Sequence, residues 1–272
     1  MRDGSSSKRK RCSFRLGARR LRAFLGPDDR RVRFAGRDRP PSIRDFYAFE
    51  AHVATARRAR GLDMEPEWYE RPAFYFSNPA SIVGHGDSVR FPASSTEWDY
   101  ELEVACVIGA ACSDVPAEGD AWLEVVEGFT ILDDFSARDL QRAEMRVGLG
   151  PAKGKDFATA LGPEIVPSGA LRHVESGRPA AVMVARVNGV ELSRGELADI
   201  HFSWPELIAH ASRDTVLLPG DVIGSGTVGT GCLLELRAVA SAAGEEPPPW
   251  LRSGDVVELE VDGLGVLTNT VT

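Results

Sequence analysis

No C-x-x-C spacing links the four cysteines of this 272-residue chain, Cys12, Cys106, Cys112 and Cys232. Paired spacing of that kind marks zinc and redox sites, and thiols this few do not frame a disulfide scaffold. They read as ordinary thiols in a reducing compartment. Long apolar runs are also missing. None approaches the roughly 20 residues of a membrane-spanning helix, and no signal-peptide h-region is visible. A cytoplasmic chain without a membrane partner is therefore expected. Internal repeats are absent, and so is the G-x-x-x-x-G-K-[ST] phosphate loop.

Positive charge is scarce outside one segment. The net charge is −8, yet residues 1–40 hold 14 of the 32 Lys and Arg and only 4 of the 40 Asp and Glu. The remainder carries 18 basic against 36 acidic residues. So acidic a body excludes nucleic acid as the main partner and fits a protein that concentrates carboxylates for a metal. Hydrophobic residues make up 43% and charged residues 26%, the composition of an ordinary folded domain with a substantial core.

Arg39-Pro40-Pro41 marks a boundary. It divides a basic extension, residues 1–40, from a body, residues 41–272. The extension reads as an unstructured head, a degenerate hairpin around Ser13–Phe34, or a targeting or nucleic-acid tail. Ser42 with Asp45 resembles a capping box, and Phe46, Phe49 and Val53 recur at helical spacing, so the pattern predicts a helix over Ser42–Arg60 ended by Gly61. Asp45 and His52, two turns apart, would then share a face. Strands are expected over Trp98–Gly109 and Gly128–Asp133, a helix over Ser136–Val147, and a glycine-rich loop over Gly148–Pro163. Asn188-Gly189 predicts a hairpin within Ala181–Arg194, and Phe202–Ser212 a short helix. From Pro219 onward strands and turns are expected. Many short strands with few helices make a β-rich α+β fold.

Four pieces carry chemistry. Tyr100-Glu101-Leu102-Glu103-Val104 puts two carboxylates on one side of a strand, on a face that continues into Ala105 and Val107. Carboxylates on such a face call for a cation between them; the competing reading is two surface glutamates on an edge strand. Glu258-Leu259-Glu260 has the same spacing with no helpers nearby, and is expected to be solvated. Leu132-Asp133-Asp134 ends a strand where Ser136-Ala137-Arg138-Asp139 starts a helix, with Arg138 and Gln141 three apart on one face. Gly154-Lys155-Asp156-Phe157 offers a fixed positive charge to a substrate oxygen. Gly224-Ser225-Gly226-Thr227 is a turn whose backbone amides can approach an anion, followed by Glu235 in an apolar run, Cys232-Leu233-Leu234-Glu235-Leu236, that reads as a strand.

In this order, and over roughly Pro41 to Val271, these pieces resemble the fumarylacetoacetate hydrolase family. Asp45-Phe46-Tyr47 with His52, Tyr100-Glu101-Leu102-Glu103, Asp134-Phe135-Ser136-Ala137-Arg138-Asp139, Gly154-Lys155-Asp156-Phe157 and Gly226-Thr227 carry the resemblance. It implies a mixed β-sandwich roll, usually a homodimer. It also implies that Glu101, Glu103 and Asp134 bind Mg²⁺, Ca²⁺ or Mn²⁺, Mg²⁺ first, with Asp45 as a further acidic ligand. His52 matches the general base and Glu235 the acid that orients it. Arg138, Gln141, Lys155 and Thr227 match substrate-contacting positions, and Tyr47 lines the pocket. One departure stands out: relatives with a His-x-x-Glu lid dyad have Glu where Thr55 follows His52 here. The expected activity is metal-dependent C–C hydrolysis of a small β-diketo acid. Decarboxylation or isomerisation of a 2-oxo acid is the alternative, and a non-catalytic metal-binding protein a third reading.

Overall fold

The computed structural model describes residues 33–272; the hairpin expected around 13–34 lies almost wholly outside them. The elements run, in chain order, β1 (Ile43–Phe46), α1 (Glu50–Arg58), α2 (Pro66–Glu70), β2 (Phe74–Ser77), β3 (Ile82–Val83), β4 (Ser88–Val89), β5 (Trp98–Asp99), β6 (Leu102–Ile108), α3 (Ala121–Val125), β7 (Val126–Asp134), β8 (Ser136–Ala137) and α4 (Arg138–Arg146). The second half continues with β9 (Thr159–Leu161), β10 (Val182–Val187), β11 (Val190–Glu196), α5 (Trp204–Ser212), β12 (Val222–Gly224), α6 (Leu233–Ala243), β13 (Val256–Val261) and β14 (Gly265–Val271).

Seven strands form a mixed sheet in the order β2-β1-β12-β6-β7-β9-β3, five form a second sheet, β11-β10-β13-β14-β4, and β5 pairs with β8. The second sheet shows how alternation writes a half-buried strand: in β13, Val257, Leu259 and Val261 are buried while Val256, Glu258 and Glu260 are partly exposed. The expected hairpin joins β10 to β11. Asn188 and Gly189 both have positive φ, 53° and 77°, as a two-residue turn of the right twist requires. β6 is different, being buried along its whole length. Leu102, Val104, Cys106 and Ile108 point into the large core between the sheets. Ala105 and Val107 point the other way, into a small cluster with Phe34, Ile43, Leu132, Leu161 and Val222. Phe34 thus packs into the body ahead of the boundary read at Pro41. No helix among the described residues is long and apolar enough to cross a membrane.

Three sequence expectations fail, each because a distant partner outweighs local pattern. Ser42–Arg60 is not one helix. Ile43–Phe46 is a strand paired with both β12 and β2, and Ser42 donates its hydroxyl to Asp221 at 2.7 Å rather than capping. The helix begins only at Glu50, so Asp45 and His52 do not share a helix face. Cys232–Leu236 is not a strand. Glu235 lies in the first turn of α6, whose leading N–H groups, on Leu233 and Leu234, donate to the Asp99 carboxylate at 2.8 and 3.0 Å. Asp99 satisfies orphan helix donors from 134 residues away. Finally, the helix expected from Ser136 begins only at Arg138, because Ser136 and Ala137 pair as β8 with β5; Asp139 accepts from Ser95 and the Thr96 N–H.

Candidate active site

Strand register assembles the site. Ile43 pairs with Val222 and Asp45 with Gly224; Val222 pairs with Val107 and Gly224 with Ala105. Glu103 pairs with Leu132 on β7, and Asp134 with Thr159 on β9. Cross-strand partners share a face, and residues two apart return to it. One face of the seven-stranded sheet is therefore apolar at one end, with Ile43, Val222, Val107, Leu132 and Leu161. At its other end it carries Asp45, Glu103 and Asp134. Gly224 sits between Asp45 and Glu103. A Cβ there would collide with Asp45 Oδ1 and stand 3.4 Å from Glu103 Oε2, so the missing side chain is what lets the two carboxylates approach.

Asp45, Glu101, Glu103 and Asp134 are all buried, at 5% exposure or less. Lys155 donates to Glu101 and Asp134, at 2.5 Å each. Arg138 pairs with Glu101 at 2.7 Å and with Asp99 at 2.7 Å. Tyr75 donates to Asp45 at 3.0 Å and also to Asp134. These donors leave Asp45 Oδ1, Glu103 Oε2 and Asp134 Oδ1 without a hydrogen-bond partner, among the described residues. Buried acceptors without donors are costly. A hard cation is the partner that such oxygen acceptors suit, and these atoms would have to draw closer to share one ion.

The titration of the group shows the same imbalance. Burial, then the nearby Asp134 charge, pushes Asp45 up to about 7. Burial, with Asp45 and Glu101 close by, raises Glu103 well above the usual carboxylate range. Burial also outweighs Lys155 at Asp134, which is raised. Glu101 alone goes the other way: burial works against its charge, but Lys155 and Arg138 hold its carboxyl below the ordinary range. The carboxylates thus repel one another wherever no cation reaches them.

A second cluster adjoins the first. His52, on α1, meets Glu235 of α6 with Nδ1 2.7 Å from Oε2, both groups buried. Glu235 Oε1 accepts the Thr230 N–H at 3.2 Å, and the Cys232 thiol points at Oε2 from 3.6 Å. Tyr47 stands edge-on to the His52 ring, 5.3 Å between centroids; burial pushes its phenol up to about 12.

The fold brings together the residues chosen from sequence. Arg138 reaches Gln141 at 3.1 Å as well as the acids. Thr227 donates to Glu103 at 3.3 Å, so its hydroxyl steadies a carboxylate. Glu258 and Glu260 lie on β13 of the other sheet, and Glu260 pairs with Arg186 at 2.6 Å. Sequence reasoning missed Tyr75, Asp99 and Asp133. Tyr75 lies in an aromatic run, Phe74-Tyr75-Phe76, that reads as core. Asp133, the neighbour of Asp134 at the strand end, accepts the Glu101 N–H at 3.0 Å and so fixes the backbone under that glutamate. A pocket of about 160 Å³ borders the cluster, with Tyr75, Asn78, Lys153 and Lys155 in its wall.

Comparison with known proteins bears on the family and the fold. An oxaloacetate tautomerase of Bacillus subtilis is 34% identical over 212 residues, 77% of this chain and 64% of the relative; the chain spans just under two thirds of that relative's length. Two solved structures are similar. A 5-carboxymethyl-2-hydroxymuconate delta-isomerase from Mycobacterium smegmatis is 30% identical with a TM-score of 0.64, covering 86% of this chain and 77% of that one. A fumarylacetoacetate hydrolase from Exiguobacterium antarcticum is 28% identical with a TM-score of 0.67, covering 86% and 76%. These three bear the names of a tautomerase, an isomerase and a hydrolase. The family profile described as fumarylacetoacetate hydrolase, C-terminal, matches residues 42–272, in keeping with the β-rich α+β fold: the chain belongs to the fumarylacetoacetate hydrolase family.

Proposed function

We propose that this protein is a divalent-cation-dependent hydrolase that cleaves a C–C bond in a small β-diketo acid. Glu101, Glu103, Asp134 and Asp45 would hold the cation, Mg²⁺ first among hard ions. Supporting that assignment are three buried carboxylate oxygens that lack donors and an all-oxygen donor set, which disfavours zinc. The bound cation supplies Lewis-acid polarisation of substrate carbonyl oxygens.

The single observation that carries the hydrolase reading is the closed His52–Glu235 contact, 2.7 Å and buried. Glu235 fixes the imidazole in one orientation and stabilises its protonated form. His52 then takes a proton from water through its other ring nitrogen, and the hydroxide adds to a substrate carbonyl carbon. Lys155, held among the acids, and the Arg138–Gln141 pair steady the developing negative charge. The C–C bond breaks because the departing carbon leaves as an enolate, which a proton from His52 completes. Tyr47 walls the base from bulk water. A second copy of the chain is the expected partner, as in the family at large; sedimentation of the purified chain checks it.

A second reading is favoured by one observation, the similarity to an oxaloacetate tautomerase. There the same base would shuttle a proton between carbon and oxygen of a 2-oxo acid, and no bond between carbons would break. Acylpyruvates and oxaloacetate assayed side by side with Mg²⁺ separate the two. Hydrolysis bleaches the diketo absorbance and releases two acids, whereas tautomerisation only speeds the keto–enol exchange. His52→Ala should cut hydrolysis by about 10²–10⁴-fold while the cation still binds by calorimetry. Unchanged hydrolysis would remove His52 from the reaction.

A further inference from the structure

His52, Cys232 and Glu235 differ from the acids in how closely their ligand atoms gather. A ring nitrogen, the thiol sulfur and a carboxylate oxygen all lie within 4.8 Å of one another, and among the described residues no other set of three such side chains does so. The four acids fall outside that closeness, with Lys155 Nζ bonded to both Glu101 and Asp134.

We propose that His52, Cys232 and Glu235 form a second cation site, specific for a thiophilic divalent metal such as Zn²⁺, whose occupation removes His52 as a base. The inhibitory half rests on the function proposed above; the binding half does not. Sulfur, nitrogen and one oxygen are the ligands of a three-coordinate zinc site with an open fourth position, and a hard ion has little use for the thiol. Cys232 is the N-cap of α6 and Glu235 lies in its first turn, so one helix end presents both, and a bound metal ion would draw off the thiol proton. The Thr230 N–H already holds Glu235 Oε1, which leaves Oε2 facing both His52 and Cys232. Bonds of about 2.0–2.3 Å in a tetrahedron set ligand atoms about 3.3–3.7 Å apart, so Nδ1 and Oε2, at 2.7 Å, must part, whereas Sγ and Oε2, at 3.6 Å, already fit.

Charge closes as well. On binding, the thiol proton leaves to solvent and the sulfur takes its place on the metal. The direct His52–Glu235 hydrogen bond breaks, and its proton passes from Nδ1 by way of solvent to the ring's far nitrogen, which gives the other tautomer. One thiolate, one carboxylate and one neutral imidazole then balance M²⁺. With Nδ1 ligated and the far nitrogen protonated, the ring has no lone pair left for water.

Co²⁺ added to the Mg²⁺-loaded full chain is the probe. A near-ultraviolet sulfur-to-metal absorption should appear and be bleached by Zn²⁺. Cys232→Ser and His52→Gln should abolish it, and Glu103→Gln should keep it. Circular dichroism and thermal melting report whether each variant folds; His52→Gln stands in if Cys232→Ser does not. Absorption that fails to appear, persists in Cys232→Ser, or vanishes in Glu103→Gln overturns the site. In turnover assays with Mg²⁺, Zn²⁺ should inhibit the parent chain, and Cys232→Ser should raise the inhibitory concentration by about tenfold or more, ~1.4 kcal/mol. Zn²⁺ bound with turnover unimpaired overturns the inhibitory half alone, and His52→Ala judges the base independently.

Discussion

Glu101-Leu102-Glu103 and Glu258-Leu259-Glu260 are the same three residues in the same order, and the fold treats them in opposite ways. The second pair sits on the open face of β13, whose other face is packed, and Glu260 meets Arg186 at the surface. The first pair is buried, Glu103 completely, at the end of a strand covered on both faces. The spacing is therefore not what makes a site. What surrounds it does: a glycine opposite, a lysine and an arginine alongside, and a third and fourth acid on neighbouring strands.

Substitutions can break that contrast or sharpen it. Glu103→Gln should have the largest effect. Removing a proposed ligand should weaken Mg²⁺ binding at least as much as the roughly 10–100-fold known for outer-shell partners, with turnover lost in step, as calorimetry and the hydrolysis assay would record. Unaltered Mg²⁺ affinity would place the cation elsewhere. Lys155→Met comes next. Deleting the buried cation leaves Asp134 uncompensated and Glu101 with Arg138 alone, which costs about 3–5 kcal/mol, read from urea melts without metal. Saturating Mg²⁺ should recover part of the loss, and a melt indifferent to Mg²⁺ would count against the cation site. Gly224→Ala should cost about 1–3 kcal/mol, because its methyl group enters the space of Asp45 Oδ1, and Mg²⁺ affinity should fall with it. Glu258→Gln and Glu260→Gln should stay within about 0.5 kcal/mol, with Mg²⁺ binding and turnover as before. A loss there matching that of Glu103→Gln would erase the distinction between the two pairs.

Some of this was legible before any coordinates. Glu103 heads a face continued by Ala105 and Val107, and those two residues are buried as that pattern demands. The Asn188-Gly189 turn needed no tertiary information, since two positive φ values suit few other residues. The capping box at Ser203 and Glu206 also sits where the short helix was expected to begin. Asp45 was legible as a residue but not as a strand position. Its helix-like neighbourhood yields to ladder bonds on both sides, and those partners are 30 and 179 residues away, Tyr75 and Gly224. Glu235 was misread in the same manner, because the helix that carries it is started by Asp99.

The sequence by itself determined which chemistry the chain can hold. Its acidic body, two E-x-E strands, the lysine in a glycine-rich loop and one histidine near an aspartate restrict the choice to a few functional groups, because side-chain type and strand period are local properties. Only the tertiary structure decided which of those groups meet. Register between strands placed Asp45, Glu103 and Asp134 on one face, and α1 lying against α6 brought His52 to Glu235. It also added Tyr75, Asp99 and Cys232, which no spacing signals. Such meetings depend on burial: the energy that assembles them comes from removing β6 and its neighbours from water, and that term is shared across the whole core rather than written at any one position.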